Sequence, residues 1–209
     1  MDTRLIPNLL DVSLCLVALF IAVRSFDIFS RFRQYRLFIL GLSMVLLSLS
    51  AAADFTSSYI RVVALHTDWF LYIGQSVGFL FILLSLAQSS DRYLRNLMNL
   101  NILVFILLVI ILFLSPALPD MTNSTRTLFG FVRLLICMFI LCAYFSAYIN
   151  KPARFSFLMS ASFFFFTIDY VITLEQYVVP TISQYLFRAP GDITGVIGLL
   201  MLVSAVSIE

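Results

Sequence analysis

Seven long apolar stretches dominate the sequence, and they constrain the fold more than any other feature. Each is about 20 residues long, the length that an α-helix needs to cross the hydrocarbon core of a bilayer. They are Leu5–Phe26, Arg36–Phe55, Asp68–Ala87, Leu97–Leu118, Thr127–Ile149, Phe155–Tyr177 and Gly191–Ile208. Alternating barrel strands are shorter and less uniformly apolar. The sequence therefore predicts an all-α polytopic membrane protein, with one seven-helix transmembrane domain over residues 1–209.

Composition excludes the main soluble classes. Hydrophobic residues make up 62% of the chain and charged residues only 11%, whereas about a quarter of an ordinary soluble domain is charged. A water-soluble fold of 209 residues could not bury so much apolar surface. The formal net charge of +2 gives no reason to expect a nucleic-acid partner. We expect the lipid bilayer as the partner and a multi-pass protein of the cell membrane.

Basic residues predict the orientation, because cytoplasmic loops carry an excess of Lys and Arg. If the first, third and fifth loops are cytoplasmic, that side holds eight basic residues: Arg24, Arg31, Arg33, Arg36, Arg92, Arg95, Lys151 and Arg154. The other side then holds four: Arg4, Arg61, Arg126 and Arg188. The bias predicts an N-terminus outside and a C-terminus in the cytoplasm.

Catalytic motifs give little support for an enzyme. The segment Gly74–Gly78 matches the G-x-S-x-G nucleophile pattern, which needs a strained turn and a histidine within hydrogen-bond reach. Here the pattern lies inside a helix, and His66 lies about 15 Å away along it. Small residues that let another helix approach closely explain the pattern better. We therefore expect a non-enzymatic protein.

Cofactor and metal chemistry is also limited by the residues present. Lys151 is the single lysine and falls in a loop, so a retinal Schiff base in the last span is excluded. One histidine cannot supply a bis-histidine haem or a His/Cys metal site. The three cysteines (Cys15, Cys137 and Cys142) fall within spans, where we expect small buried side chains. We expect no cofactor and no metal.

Polar side chains within the spans concentrate in the outer third of the predicted bundle. Ionisable groups inside a membrane are costly and are therefore candidate functional residues. The candidate ligand-binding residues are Asp11, Gln75, Arg133, Asp169, Tyr72 and His66. The inner half is apolar and contains no chain of carboxylates. The pattern favours a pocket that opens outward.

Arg133 and Asp169 are predicted at similar depths on neighbouring helices. Arg133 lies about 9 Å inside span five, and Asp169 about 12 Å from the outer end of span six. A buried Arg needs a carboxylate partner, and Asp169 matches it in depth. Three interpretations remain open: a structural ion pair that joins the two spans, one wall of a ligand pocket, or two side chains that face different neighbours.

The layout resembles that of the seven-helix N-terminal membrane sensor modules of bacterial histidine kinases and diguanylate cyclases. Short phrases support the resemblance, namely Arg36–Ser50 (RLFILGLSMVLLSLS) and Tyr72–Ser85 (YIGQSVGFLFILLS). The resemblance implies signal transduction, with a small or lipid-like ligand in the outer half and a shift of span seven relative to the rest. It assigns no binding residues to this chain.

Three functional hypotheses follow. The first is a sensor or receptor bundle that relays ligand binding to a separate or missing cytoplasmic partner. The second is a small-solute transporter or channel, which needs a polar path through the inner half. The third is an accessory structural subunit of a larger membrane complex. Span seven ends at Ile208 with no basic anchor after it. This leaves three interpretations: the orientation is inverted, the sequence is the membrane part of a longer protein, or a membrane or cytoplasmic protein partner covers the C-terminal end.

Overall fold

A computed structural model of the protein describes residues 5–59, 68–87, 90–114, 117–178 and 184–208. These residues form seven α-helices and no strand. The helices are α1 (Leu5–Phe32), α2 (Tyr35–Tyr59), α3 (Asp68–Ala87), α4 (Asp91–Leu114), α5 (Asn123–Asn150), α6 (Arg154–Val178) and α7 (Gln184–Ile208). The all-α prediction is confirmed for this part of the chain.

Five of the helices are long and apolar enough to cross a membrane. The qualifying segments are Tyr35–Ala53, Asp68–Ala87, Asp91–Leu114, Asn123–Asn150 and Arg154–Leu174. Within α7, Ile193–Ser207 forms a shorter apolar helical segment. Several membrane-length helices in one bundle are characteristic of a multi-pass membrane protein.

Several helices extend beyond the apolar stretches. α1 continues to Phe32, past the predicted limit at Phe26. Its added turns carry Asp27, which pairs with Arg24 at 3.3 Å and Arg31 at 3.2 Å. Residues three and four apart lie on the same side of a helix. These charges can therefore neutralise one another on the helix surface, and the helix need not end with its apolar residues.

Three other helices, α4, α5 and α7, begin at least four residues earlier than predicted. α4 begins at Asp91 instead of Leu97, so its first turn contains an acidic side chain. Negative charge near a helix N-terminus stabilises the helix through the helix dipole. α7 begins at Gln184 instead of Gly191 and includes Pro190. Hydropathy marks only the apolar part of such helices.

The helices other than α4 form a closed ring. Its order is α1, α2, α3, α5, α6 and α7, with α7 returning to α1. α4 packs against α2 and α3 at the side of the ring. We call the end where α3 and α5 begin the upper end, and the opposite end the lower end.

Aromatic side chains fill the middle of the ring. Phe79 of α3 is buried, and its ring centroid lies 6.1 Å from Phe163, 6.0 Å from Phe166 and 5.9 Å from Tyr170, all of α6. Aromatic pairs at these separations add to the stability gained from burial alone. This cluster connects α3 and α6 across the ring interior.

Small residues allow the closest helix contacts. The Ser43 hydroxyl on α2 donates to the backbone oxygen of Gly78 on α3 at 3.0 Å. Similarly, the Ser162 hydroxyl on α6 donates to the backbone oxygen of Gly198 on α7 at 2.7 Å. In both pairs a glycine lets a polar side chain of the next helix reach its backbone, as is common in membrane bundles.

We expect Gly198→Ala to destabilise the bundle by about 1–3 kcal/mol, the usual effect of overpacking. An added Cβ would lie 3.1 Å from the backbone oxygen of Ser162 and 3.2 Å from the Phe166 ring. Apparent melting temperatures in detergent would measure the effect. The control is Gly74→Ala, whose Cβ would lie an ordinary 3.6 Å from the Ser50 hydroxyl. Equal melting temperatures for the two variants would contradict the prediction.

Candidate functional site

Arg133 is the most deeply placed cation in the described part of the bundle. It lies on α5, ten residues after the first residue, Asn123, which corresponds to about 15 Å along the helix. Its side chain is only 4% exposed. A guanidinium keeps its charge under all ordinary conditions. Its neighbours must therefore stabilise a full positive charge inside the ring.

A neutral side chain supplies one hydrogen-bond acceptor for Arg133. The Nη1 group of Arg133 donates to the Oε1 atom of Gln75 on α3. Sequence reasoning selected both residues as candidates, and the structure brings them into direct contact. Hydrogen bonds to ionised groups are stronger than those between neutral groups. The bond therefore links α3 and α5 at the level of the buried charge.

Two tyrosine rings flank the same guanidinium. Its central carbon lies 4.5 Å from the ring centroid of Tyr72 and 4.9 Å from that of Tyr170. Both tyrosines are buried, and desolvation strengthens the attraction between a cation and an aromatic face. Together with Arg133 and Gln75 they form what we call the Arg133 cluster. It joins α3, α5 and α6.

Tyr72 was among the predicted site residues, whereas Tyr170 was not. Tyr170 directly follows Asp169 and belongs to the polar residues of the outer third, but only the carboxylate is predicted as a site residue. The sequence does contain a signal for Tyr170, because this aromatic residue is next to Asp169, which is predicted at the depth of Arg133. Such a residue can stabilise the cation without carrying charge.

Asp169 lies against α7. Its Oδ1 atom would be 3.1 Å from a Cβ built on Gly191, and its Oδ2 atom 3.0 Å from one built on Gly195. The Thr173 hydroxyl donates to Oδ1 over 3.4 Å. The absence of side chains at the two glycines gives the carboxylate room beside the α7 backbone. Asp169 therefore occupies a glycine-lined notch between α6 and α7.

The charges of Arg133 and Asp169 belong to one electrostatic environment. Both act on Tyr170 and on Cys137, a buried residue one turn below Arg133 on α5. The contacts described for the two side chains nevertheless go to different groups, Gln75 and the tyrosines for Arg133 and the α6–α7 notch for Asp169. The direct Arg133–Asp169 ion pair stays a prediction.

A second polar layer lies above the Arg133 cluster. Arg126, in the first turn of α5, pairs with Asp68 at the start of α3. The Trp69 indole donates to the backbone oxygen of Pro119 over 2.7 Å. These contacts join the upper ends of α3 and α5, and they constrain the separation of the two helices above Arg133.

The other predicted site residues contribute less to this description. His66 lies outside the described residues. The backbone of Asp11 belongs to α1, but its side chain lies outside the described part of the chain. Among the described residues, no three His, Cys, Asp or Glu side chains form a group that could hold a metal ion.

One nitrogen of the Arg133 guanidinium, the Nε atom, is buried without a hydrogen-bond partner in the described structure. An unsatisfied buried donor is costly, and more so when it belongs to a charged group. An acceptor or an anionic group that reached Arg133 would therefore gain a charge-assisted hydrogen bond.

No protein-family model, curated protein or solved structure matches the chain.

We expect Gln75→Leu to lower the free energy of unfolding by about 1–3 kcal/mol, because a buried cation loses its acceptor. Gln75→Glu keeps an acceptor at the same position and should preserve the stability. Thermal unfolding of the two variants in the same detergent measures the difference. Wild-type stability in Gln75→Leu would show that the hydrogen bond contributes little.

Proposed function

We propose that the protein is a non-enzymatic sensor or receptor bundle of the cell membrane. It binds a small or lipid-like ligand with an acidic or other acceptor group in its upper half. Arg133 binds that group, Tyr72 and Tyr170 hold the guanidinium, and Asp169 flanks the site from α6. The observation that carries the proposal is the buried Nε donor of Arg133, which has no partner in the described structure.

Ligand binding has a direct consequence for helix packing under this proposal. The ligand's acceptor binds the Nε donor and partly neutralises the guanidinium, so the hydrogen bond from Nη1 to Gln75, which links α3 and α5, weakens as the ligand binds. Tyr170 and Asp169 lie on α6, which packs along α7. A change at the guanidinium therefore reaches α6 and α7, and through their lower halves a separate cytoplasmic partner. A ligand shifts such an equilibrium only by its differential affinity for the two arrangements.

The aromatic centre of the ring favours a sensor over a transporter or channel. Below the Arg133 cluster, Phe79 packs against Phe163 and Phe166. A polar solute that followed the ring axis would have to displace these buried rings. In the described structure the ring interior therefore changes from polar to apolar within a short distance below Arg133.

The test is a comparison of what co-purifies with wild-type protein and with Arg133→Gln. We expect mass spectrometry of extracts from the wild-type protein, isolated gently from its native membrane, to reveal an acidic compound near one-to-one stoichiometry. The compound should be absent from Arg133→Gln because the guanidinium is its main contact. Arg133→Lys, which keeps the charge but loses the planar fork, should retain a reduced amount.

Arg95→Gln is the control, since Arg95 is an exposed arginine at the lower end of α4, away from the Arg133 cluster. It should retain the compound at the wild-type level, and every variant should elute as a monodisperse species. Equal amounts of all small molecules in the wild type and in Arg133→Gln would contradict the proposal. Stoichiometric co-purification of other membrane proteins, without a bound ligand, would instead favour the accessory-subunit hypothesis.

We further propose that all seven helices span the membrane, with the upper end outside and the lower end in the cytoplasm. The excess of basic residues at the lower end supports this orientation. After replacement of the three native cysteines, Thr122→Cys at the upper end should react with a membrane-impermeant maleimide on intact cells. Ser90→Cys at the lower end should react only after permeabilisation. The reverse pattern would invert the orientation.

A further inference from the structure

A long apolar groove lies on the surface of the lower half of α5 and α6. Its first part has a volume of about 420 Å³ and an entirely apolar surface. The lining residues include Cys142 and Phe145 of α5 and Ala161 and Phe164 of α6. Cys142 is exposed here and Cys15 is only partly buried, so the expectation that all three cysteines are buried is confirmed only for Cys137. The apolar composition of α5 continues on the side that faces away from the ring.

A second part continues the groove to the turn between the two helices. It also measures about 420 Å³, and it carries some polar surface. Tyr148 and Phe157 line both parts, and their ring centroids lie 5.5 Å apart. Pro152 and Arg154 line the end of the second part. Together the two parts form what we call the α5–α6 groove.

Polarity changes in one direction along this groove. Arg154 is the first residue of α6 and is exposed, and the exposed Lys151 lies in the same turn. From Arg154 to Phe164 the groove follows ten residues of α6, or about 15 Å. Positive charge is therefore confined to the helix ends, and apolar surface extends toward the middle of the bundle.

We propose that the α5–α6 groove binds one anionic phospholipid of the leaflet that surrounds the lower end. The phosphate contacts Arg154, and an acyl chain lies along Phe157, Ala161 and Phe164. The charge and the apolar surface occur in the same order as the headgroup and the chain of a phospholipid. Arginine binds phosphate with paired hydrogen bonds, and basic pockets between transmembrane helices are typical sites for anionic headgroups. The start of α6 adds the partial positive charge of a helix N-terminus.

The groove differs from the rest of the lipid-facing surface because two shallow clefts adjoin there. Exposed apolar side chains are also common on α4, where Leu103 and Phe113 are examples. The cavities found on the described surface, however, include two on adjoining stretches of α5 and α6. Each has a volume within the usual range for ligand-binding clefts. An acyl chain that lay in the groove would contact both α5 and α6. These contacts with two helices are the reason to expect that one particular lipid is retained.

The headgroup part of the proposal can be tested by native mass spectrometry. Delipidated protein is titrated with phosphatidylglycerol or phosphatidylcholine that carry identical oleoyl chains. We expect the wild type to bind one phosphatidylglycerol in preference to phosphatidylcholine. Arg154→Gln should lower that preference about fivefold, the effect of one basic residue at a membrane surface. The control Arg95→Gln removes an exposed charge at the lower end of α4 and should leave the preference unchanged.

The apolar part is tested by filling the groove. Ala161→Phe places a ring where the acyl chain is expected to lie. It should lower the affinity for both lipids roughly tenfold, because the added ring occupies the volume that the acyl chain requires. Leu103→Phe, a change to the same residue type on the exposed surface of α4, should leave both affinities unchanged. Equal effects of Arg154→Gln and Arg95→Gln, or of Ala161→Phe and Leu103→Phe, would overturn the proposal.

Cys142 provides an independent test in native membranes. If a lipid occupies the groove, an oxidant should not cross-link two copies of the protein through Cys142, because the lipid keeps a second protein surface away from this thiol. Cys15→Ser and Cys137→Ser together restrict the reaction to Cys142. A disulfide-linked dimer in high yield would show that a second copy of the chain covers the groove, and the lipid proposal would be overturned.

Discussion

The buried charge of Arg133 is the constraint on which the upper half of the bundle depends. A guanidinium that is 4% exposed has lost most of its contact with solvent, and the loss must be offset by the groups around it. The cluster does this with a neutral amide and two aromatic faces. Because these groups belong to α3 and α6, the charge on α5 requires both helices to lie close to it.

This requirement is consistent with the position of α3. It packs against α2, α4 and α5, and Phe79 contacts three aromatic residues of α6 across the ring. α3 carries Tyr72 and Gln75 above these aromatic contacts and Gly78 on the side toward α2. Its small, polar and aromatic residues thus have separate structural roles. The G-x-S-x-G match is explained within this helix, where the Ser76 hydroxyl donates to the backbone oxygen of Tyr72 over 2.7 Å.

The sequence predicted much of the Arg133 cluster but little of the packing. Arg133, Gln75 and Tyr72 could be selected because polar residues in an apolar span are rare and costly. The order of helices around the ring could not be predicted, because lipid is as apolar as the protein core. For the same reason, Cys142 and Cys137 look alike in sequence, although one is exposed and the other buried. In a soluble protein, the periodicity of polar residues would have distinguished the two sides of α5.

α6 connects the two proposed sites. Its upper half supplies Tyr170 and Asp169 to the region around Arg133, and its lower half supplies Phe157 and Phe164 to the α5–α6 groove. Between them, Phe163 and Phe166 pack inside the ring. A continuous helix transmits a displacement along its length more readily than it bends. If ligand binding moved Tyr170, the lower half of α6 would move relative to α5, and the shape of the groove would change. By reciprocity of linkage, a phospholipid that preferred one shape of the groove would alter the affinity for the upper ligand by the same factor.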